Sequence, residues 1–177
     1  MEVILVRHTS VDVLPGTCYG QTDVPLQATF PEEAEVVSRQ LNRYTPFDIV
    51  YTSPLSRCVR LAEYCGYADA VRDARLLELN FGTWEMQQYD EICDPHLAEW
   101  YADYLHVPVT DGESFMMQLH RVEAFFVELQ KKNYLRVAIF THGGVIACAQ
   151  VYAGLVRPKE AFCCVPRYGG IVLIRLP

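Results

Sequence analysis

The chain has 177 residues, 51% hydrophobic and 21% charged, with a formal net charge of −7, a composition that fits one globular domain (1–177) with a sizeable core. Such an acidic chain is a poor general binder of nucleic acid, although a few arginines can still build a local positive pocket. No apolar run is long enough for a transmembrane helix and the first residues lack a signal-peptide pattern, so the expectation is a cytoplasmic protein without a nucleic-acid or membrane partner.

Val3 to Val6 is a short β-branched run that reads as a buried strand. It ends abruptly in Arg7 and His8, a guanidinium fork suited to phosphate or carboxylate oxygens beside an imidazole that can act as a nucleophile. Thr9 to Ala28 follows as a loop, long for a compact domain and therefore of functional interest. Thr29 to Glu32 matches a capping box and opens a helix with the stripe Ala34, Val37 and Leu41. A second strand, Phe47 to Tyr51, runs into Thr52-Ser53-Pro54, where Ser53 suits a helix cap and Pro54 the first helical position. That start places Arg57 in the first turn of the next helix, where an anion is welcome. The same arginine reads equally well as a solvated helical side chain.

Ala70 to Arg72 is a candidate third strand. Glu78 is set among Leu76, Leu77 and Leu79, and a carboxylate so flanked either points to water or is enlisted in a site. From about 84 to 111 the pattern loosens into an aromatic-rich excursion of short helices with Tyr89, Trp100, Tyr101 and Tyr104. This excursion is expected either to cap a site or only to pack on the body. Ser114 starts the longest helix, whose stripe of Phe115, Leu119, Val122, Phe126 and Leu129 is core. Leu135 to Phe140 is another strand, ending in Thr141-His142-Gly143-Gly144 before an apolar helix to Tyr152. A closing hairpin is expected from Phe162–Val165 and Ile171–Ile174, joined by Pro166 to Gly170. The seven cysteines show no metal-site spacing and are expected to be buried reduced thiols.

Strands alternating with helices imply a three-layer α/β/α sandwich with a mainly parallel sheet and a small helical cap excursion. If both histidine-ending strands are central, Arg7, His8, Arg57 and His142 emerge at one sheet edge, with Gly143 and Gly144 allowing close backbone approach. Two fixed guanidinium charges disfavour a metal held by the histidines and Glu78, and no nucleophile-elbow serine motif occurs.

Four blocks in this order carry a resemblance. They are Val6-Arg7-His8-Thr9, Thr52-Ser53-Pro54-Leu55-Ser56-Arg57, Leu77 to Glu85, and Thr141-His142-Gly143-Gly144. Together the blocks resemble the histidine phosphatase superfamily, the phosphoglycerate-mutase-like phosphatases, and Asp111 to Ser114 resembles that family's Gly-Glu-Ser turn. The resemblance implies a phosphohistidine on His8 and Glu78 as proton donor and then base. It also implies that Arg7, Arg57 and His142 hold the phosphoryl oxygens, with Gln21 and Gly143 as further substrate contacts and no metal or cofactor. Thr9 and Met86 stand where the family usually has glycine, and Leu14 where many members have asparagine. Compact length and the stretch from Cys18 to Leu26 resemble alpha-ribazole phosphatases within the family, whose substrate base could stack on Trp84, Tyr89, Trp100 or Tyr101. The alternatives are a phosphatase of the same fold for another small molecule or for protein phosphohistidine, a mutase-type phosphotransferase, a silent phosphate-binding module and a metal hydrolase.

Overall fold

Val3, Ile4, Leu5 and Val6 have no solvent exposure in the computed structural model, which describes residues 1–177. They fill strand β1 (Glu2–Arg7), and a strand buried on both faces belongs in a covered sheet. Its alternation divides the core. Ile4 and Val6 pack with Ala34, Val37 and Leu41 of α1 (Phe30–Leu41) and with Cys58, Leu61 and Ala62 of α2 (Ser56–Tyr64). Val3 and Leu5 face the other way, into a larger cluster with Leu119, Val122 and Phe126 of α4 (Phe115–Leu129) and Val145 to Ala149 of α5 (Gly143–Tyr152). Each such aliphatic side chain taken fully from water contributes about 1.5–3 kcal/mol, so this strand anchors both layers.

The five strands lie in the order β3-β2-β4-β1-β5, with β2 at Ile49–Thr52, β3 at Val71–Arg72, β4 at Arg136–Thr141 and β5 at Ile171–Arg175. The first four are parallel, and β5 runs antiparallel to β1. This is the expected three-layer α/β/α sandwich. Its two histidine-ending strands, β1 and β4, are neighbours in the interior of the sheet. No helix is long and apolar enough to cross a membrane.

The excursion is less helical than its composition suggests. Its one α-helix is α3 (Leu97–Ala102), six residues long. A small separate core of Cys18, Trp84, Ile92 and Val109, with Trp100 against it, ties the excursion to the long loop after β1.

Four local expectations fail for identifiable reasons. Thr29 forms no capping box, because its hydroxyl donates to the Glu33 carboxylate at 2.7 Å rather than accepting a backbone amide. Ser53 does not cap α2, which starts three residues later. Its cap comes from the loop, where Asp23 accepts from the Ser56 amide at 3.0 Å and from the Ser56 hydroxyl at 2.8 Å. The closing hairpin is absent: Phe162 to Cys164 ends a 3-10 segment (Pro158–Cys164), and β5 pairs with β1 instead. A short apolar run does not distinguish a strand from a helical segment by period alone. All seven cysteines are free, but Cys93, Cys163 and Cys164 are exposed.

Met86 has φ of 67°, in the left-handed region that favours glycine, and this is where the resemblance leads one to expect a glycine. Its side chain is 50% exposed, so little packing is at stake. Met86→Gly should therefore raise stability by about 1 kcal/mol and Tm by roughly 2–4 °C. An unchanged or lower Tm in thermal denaturation would show that the side chain's contacts outweigh the backbone cost.

Candidate active site

Three strand ends build the floor. Arg7 pairs with Thr141 across β1 and β4, and the His8 amide continues the ladder by donating to the Thr141 carbonyl at 3.0 Å. The Ser53 amide, just past β2, donates to the Phe140 carbonyl at 2.9 Å. His8 and His142 thus leave the sheet side by side, their ring centroids 5.2 Å apart, both buried.

The His8 ring is oriented by one bond, 2.7 Å from Nδ1 to the Thr9 carbonyl oxygen. A carbonyl can only accept, so Nδ1 carries the proton and Nε2 keeps its lone pair. Burial, reinforced by the Arg57 charge, lowers the His8 pKa to about 3, so the imidazole is neutral at ordinary pH. His142 lies 2.7 Å from the Ser53 hydroxyl through Nε2 and packs on the Cys58 thiol. Burial, then the Arg57 and His8 charges, hold its pKa well below the usual histidine range.

The cations are fixed from behind. Arg57, fully buried, donates through Nη1 to the Thr22 carbonyl at 3.0 Å and through Nη2 to the Gly20 carbonyl at 2.5 Å. Arg7 donates through Nη1 to the Pro166 carbonyl at 2.6 Å, with the Tyr168 ring centroid 4.3 Å from Cζ. In both arginines the Nε–H is buried and has no partner in the protein. Two orphaned guanidinium donors beside a neutral imidazole make a site suited to an anion.

Glu78 stands at the opposite side, at the N-terminus of α5. Its Oε1 accepts from the Leu79 amide at 2.8 Å and from the Gly144 amide and Gln118 Nε2, each at 3.1 Å. A Cβ at Gly144 would overlap the Glu78 carboxylate and the Gln118 amide, so this close approach requires glycine there. Arg121 of α4 clamps the segment by donating to the carbonyls of Arg75 (2.8 Å), Leu77 (2.7 Å) and Glu78 (2.8 Å). Gln21, expected at the substrate, does not line the cavity that contains Arg7, His8 and Glu78, and neither do the fully buried Arg57 and His142. The Gln21 side-chain amide donates to the Glu78 carbonyl at 3.0 Å and so braces the Glu78 backbone.

A cavity of about 310 Å³ opens over Arg7, His8, Glu78, Gly143 and Gly144. Its outer wall is aromatic: Tyr19, Phe81, Tyr89, Phe162 and Tyr168. Of the four rings expected to stack on a substrate, Tyr89 alone lines it. Trp84 is buried with its Nε1–H donated to Asp94 at 2.6 Å, Trp100 packs edge-on against it at 5.3 Å, and Tyr101 is 60% exposed. Tyr19, Phe162 and Tyr168 join Tyr89 from segments whose sequence reads as loop and hairpin, with no signal of a cavity wall. Leu14 is 73% exposed and outside the cavity. A larger cavity of about 560 Å³ lies elsewhere, at Leu105, Met116 and Pro158, and contains none of these groups.

Known proteins resemble this chain in sequence and in fold. An adenosylcobalamin/alpha-ribazole phosphatase of Salmonella typhimurium is 30% identical over 155 residues, covering 83% of this chain and 76% of that protein. The protein of the same name from Escherichia coli K12 is 28% identical over 156 residues with the same coverage. The crystal structure of the alpha-ribazole phosphatase from Shigella flexneri superposes with a TM-score of 0.90 at 24% identity, covering 100% of this chain and 91% of the other, a likeness of fold. The family model for the histidine phosphatase superfamily, branch 1, matches residues 3–175. The chain belongs to that superfamily, a family of phosphatase-type hydrolases.

Proposed function

We propose that this protein hydrolyses a phosphomonoester through a phosphohistidine on His8. The observation that carries the reading is the pair of buried, unpartnered arginine Nε–H groups beside an imidazole whose Nε2 lone pair is free. That lone pair attacks phosphorus in line, forming the P–N bond as the ester P–O bond breaks. Glu78 gives its proton to the departing oxygen. The resulting carboxylate then takes a proton from water, whose oxygen attacks phosphorus. The P–N bond breaks and its electron pair returns to Nε2, releasing phosphate. Arg7, Arg57 and His142 hold the equatorial oxygens throughout, as preorganised donors at the developing charge. Acid–base assistance of this kind contributes roughly 10²–10⁴-fold.

For the substrate we propose alpha-ribazole 5′-phosphate, dephosphorylated in cobalamin nucleotide-loop assembly. Two things support it: the names of the relatives at 28–30% identity, and a cavity lined by Phe81, Tyr89 and Phe162 besides Tyr19 and Tyr168, suited to a planar base. Rates on alpha-ribazole phosphate, 3-phosphoglycerate, fructose bisphosphate and nitrophenyl phosphate test this. Alpha-ribazole phosphate should lead in kcat/KM, and comparable values across the four would remove the assignment while leaving the phosphatase chemistry standing.

The covalent step is checked by acid-labile label on the protein after quenching with labelled substrate. His8→Ala should abolish both the label and turnover, and EDTA should leave wild-type turnover intact. Full activity in His8→Ala, or loss with EDTA, contradicts the mechanism. Glu78→Gln should slow alkyl phosphates by about 10²-fold or more and nitrophenyl phosphate much less, since only the poor leaving group needs a proton. Equal losses would take Glu78 out of the acid role.

The depressed His8 pKa also sets acid stability. Between the ordinary value of 6.5 and the folded value of about 3, the unfolded chain binds more protons than the folded one. Stability therefore falls as pH drops through that window, by up to about 1.4 kcal/mol per pH unit for each such group. His8→Asn should show a shallower loss of urea stability between pH 7 and pH 4 than wild type. Equal slopes would mean that His8 is not held neutral by the fold.

A further inference from the structure

The two guanidinium groups are each latched to a loop, and each loop sends a tyrosine over the site. Arg57 donates to the carbonyls of Gly20 and Thr22, and the neighbouring Tyr19 places its ring centroid 5.5 Å from Arg57 Cζ. Arg7 donates to the Pro166 carbonyl, and Tyr168 two residues on covers its guanidinium at 4.3 Å. The turn carrying Tyr168 is further pinned to the nucleophile's backbone, where the Gly169 amide donates to the His8 carbonyl at 3.0 Å. Tyr168 also lies 5.5 Å from the His8 ring, centroid to centroid. The loops join at their tips, with the hydroxyls of Tyr19 and Tyr168 at 2.6 Å from each other. Both tyrosines line the cavity that contains Arg7, His8 and Glu78.

Two phenols have two O–H protons, and their mutual bond uses one. Whichever phenol accepts within the pair keeps its own O–H, polarised by the bond it accepts, to give. Meanwhile the arginines hold their loops through Nη atoms and leave Nε–H buried and unpaired. Loop latching and anion binding therefore draw on different donors of the same guanidinium and do not compete. Burial, and then Tyr168, push the Tyr19 phenol above the ordinary tyrosine range, which keeps it a donor.

We propose that Tyr19 and Tyr168 form a hydrogen-bonded clasp over the phosphoryl subsite, and that the phenolic O–H their mutual bond leaves over is donated to the bound phosphate. The inference rests on the reading of Arg7, His8 and Arg57 as that subsite. It makes the two tyrosines substrate-binding residues acting as one unit, and phosphate occupancy and closure of the two loops mutually reinforcing.

The test is a double-mutant cycle with inorganic phosphate as the probe. Wild type, Tyr19→Phe, Tyr168→Phe and the double variant are titrated by calorimetry, and KM and kcat are measured on nitrophenyl phosphate. The worse single variant should bind phosphate about three- to tenfold more weakly, the effect of one hydrogen bond. The double variant should bind no more weakly than that single one, because either substitution breaks the same chain. KM should rise in step with the loss of phosphate affinity while kcat stays within about twofold of wild type, as for a contact made equally in ground and transition states. Losses that multiply, or phosphate binding unchanged in all three variants, would overturn the clasp while leaving the phosphatase reading intact. A wild type that binds no phosphate would overturn the subsite itself.

Discussion

The pairing of Arg7 with Thr141 across β1 and β4 decides where both imidazoles stand, because the next residue of each chain leaves the sheet at the same level. A slip of one residue would turn every side chain of β1 to the other face, exposing Val3 to Val6 to the wrong core. Since Ile4 and Val6 belong to the α1–α2 layer and Val3 and Leu5 to the α4–α5 layer, such a slip is opposed from both sides. The hydrophobic core thus sets the register, and the register sets the 5.2 Å between the two histidine rings. Ser53 follows the same logic, entering from β2 to reach the His142 imidazole.

Burying Arg57 completely imposes the second constraint. A guanidinium has no accessible neutral form, so it must find acceptors or an anion. The carbonyls of Gly20 and Thr22 supply part of that need, and Glu85 holds the same loop by accepting the amides of Gln21 and Thr22, each at 2.7 Å. Asp23 then caps α2, the helix that carries Arg57. A loop of some twenty residues without regular structure is ordered by three charged side chains, and the order it gains is directed at the site. Burial above all, and then the arginine charges, keep the histidines neutral. A positive field suited to an anion thus also disfavours protonation of the imidazoles beside it.

Much of this was legible in the chain itself. The runs ending in Arg7-His8 and in Thr141-His142 have the buried, β-branched character of central parallel strands, and the stripes of α1 and α4 repeat at helical spacing. What failed were features whose partner is distant in sequence. Ser53 reads as a cap, but its hydroxyl is taken by His142, 89 residues away, and Asp23 caps in its place. Phe162 to Val165 reads as a strand because apolar runs of four residues carry no period, and the Pro166 carbonyl is instead recruited by Arg7. Trp84 and Trp100 read as stacking platforms, yet they form the core of the excursion, leaving its surface to Phe81 and Tyr89. Local rules identify elements and strand-end chemistry. They do not reveal which loops will meet over it.

Thr9 shows how the same separation accounts for a departure from the family pattern. Its contribution to the nucleophile is made by the carbonyl, which fixes the His8 tautomer at 2.7 Å, and a glycine offers the same carbonyl. The threonine side chain is fully buried and its hydroxyl has no partner, so it fills space behind the strand end without entering that bond. At Thr9 the group that matters is the backbone carbonyl, so the side chain there can vary while the neighbouring His8 ring keeps its orientation. Beyond Tyr19 and Tyr168, the aromatic wall of the cavity comes from Phe81, Tyr89 and Phe162, all outside any α-helix or β-strand. Those three positions can change without disturbing the strand ends, because they carry none of the strand pairing that positions His8.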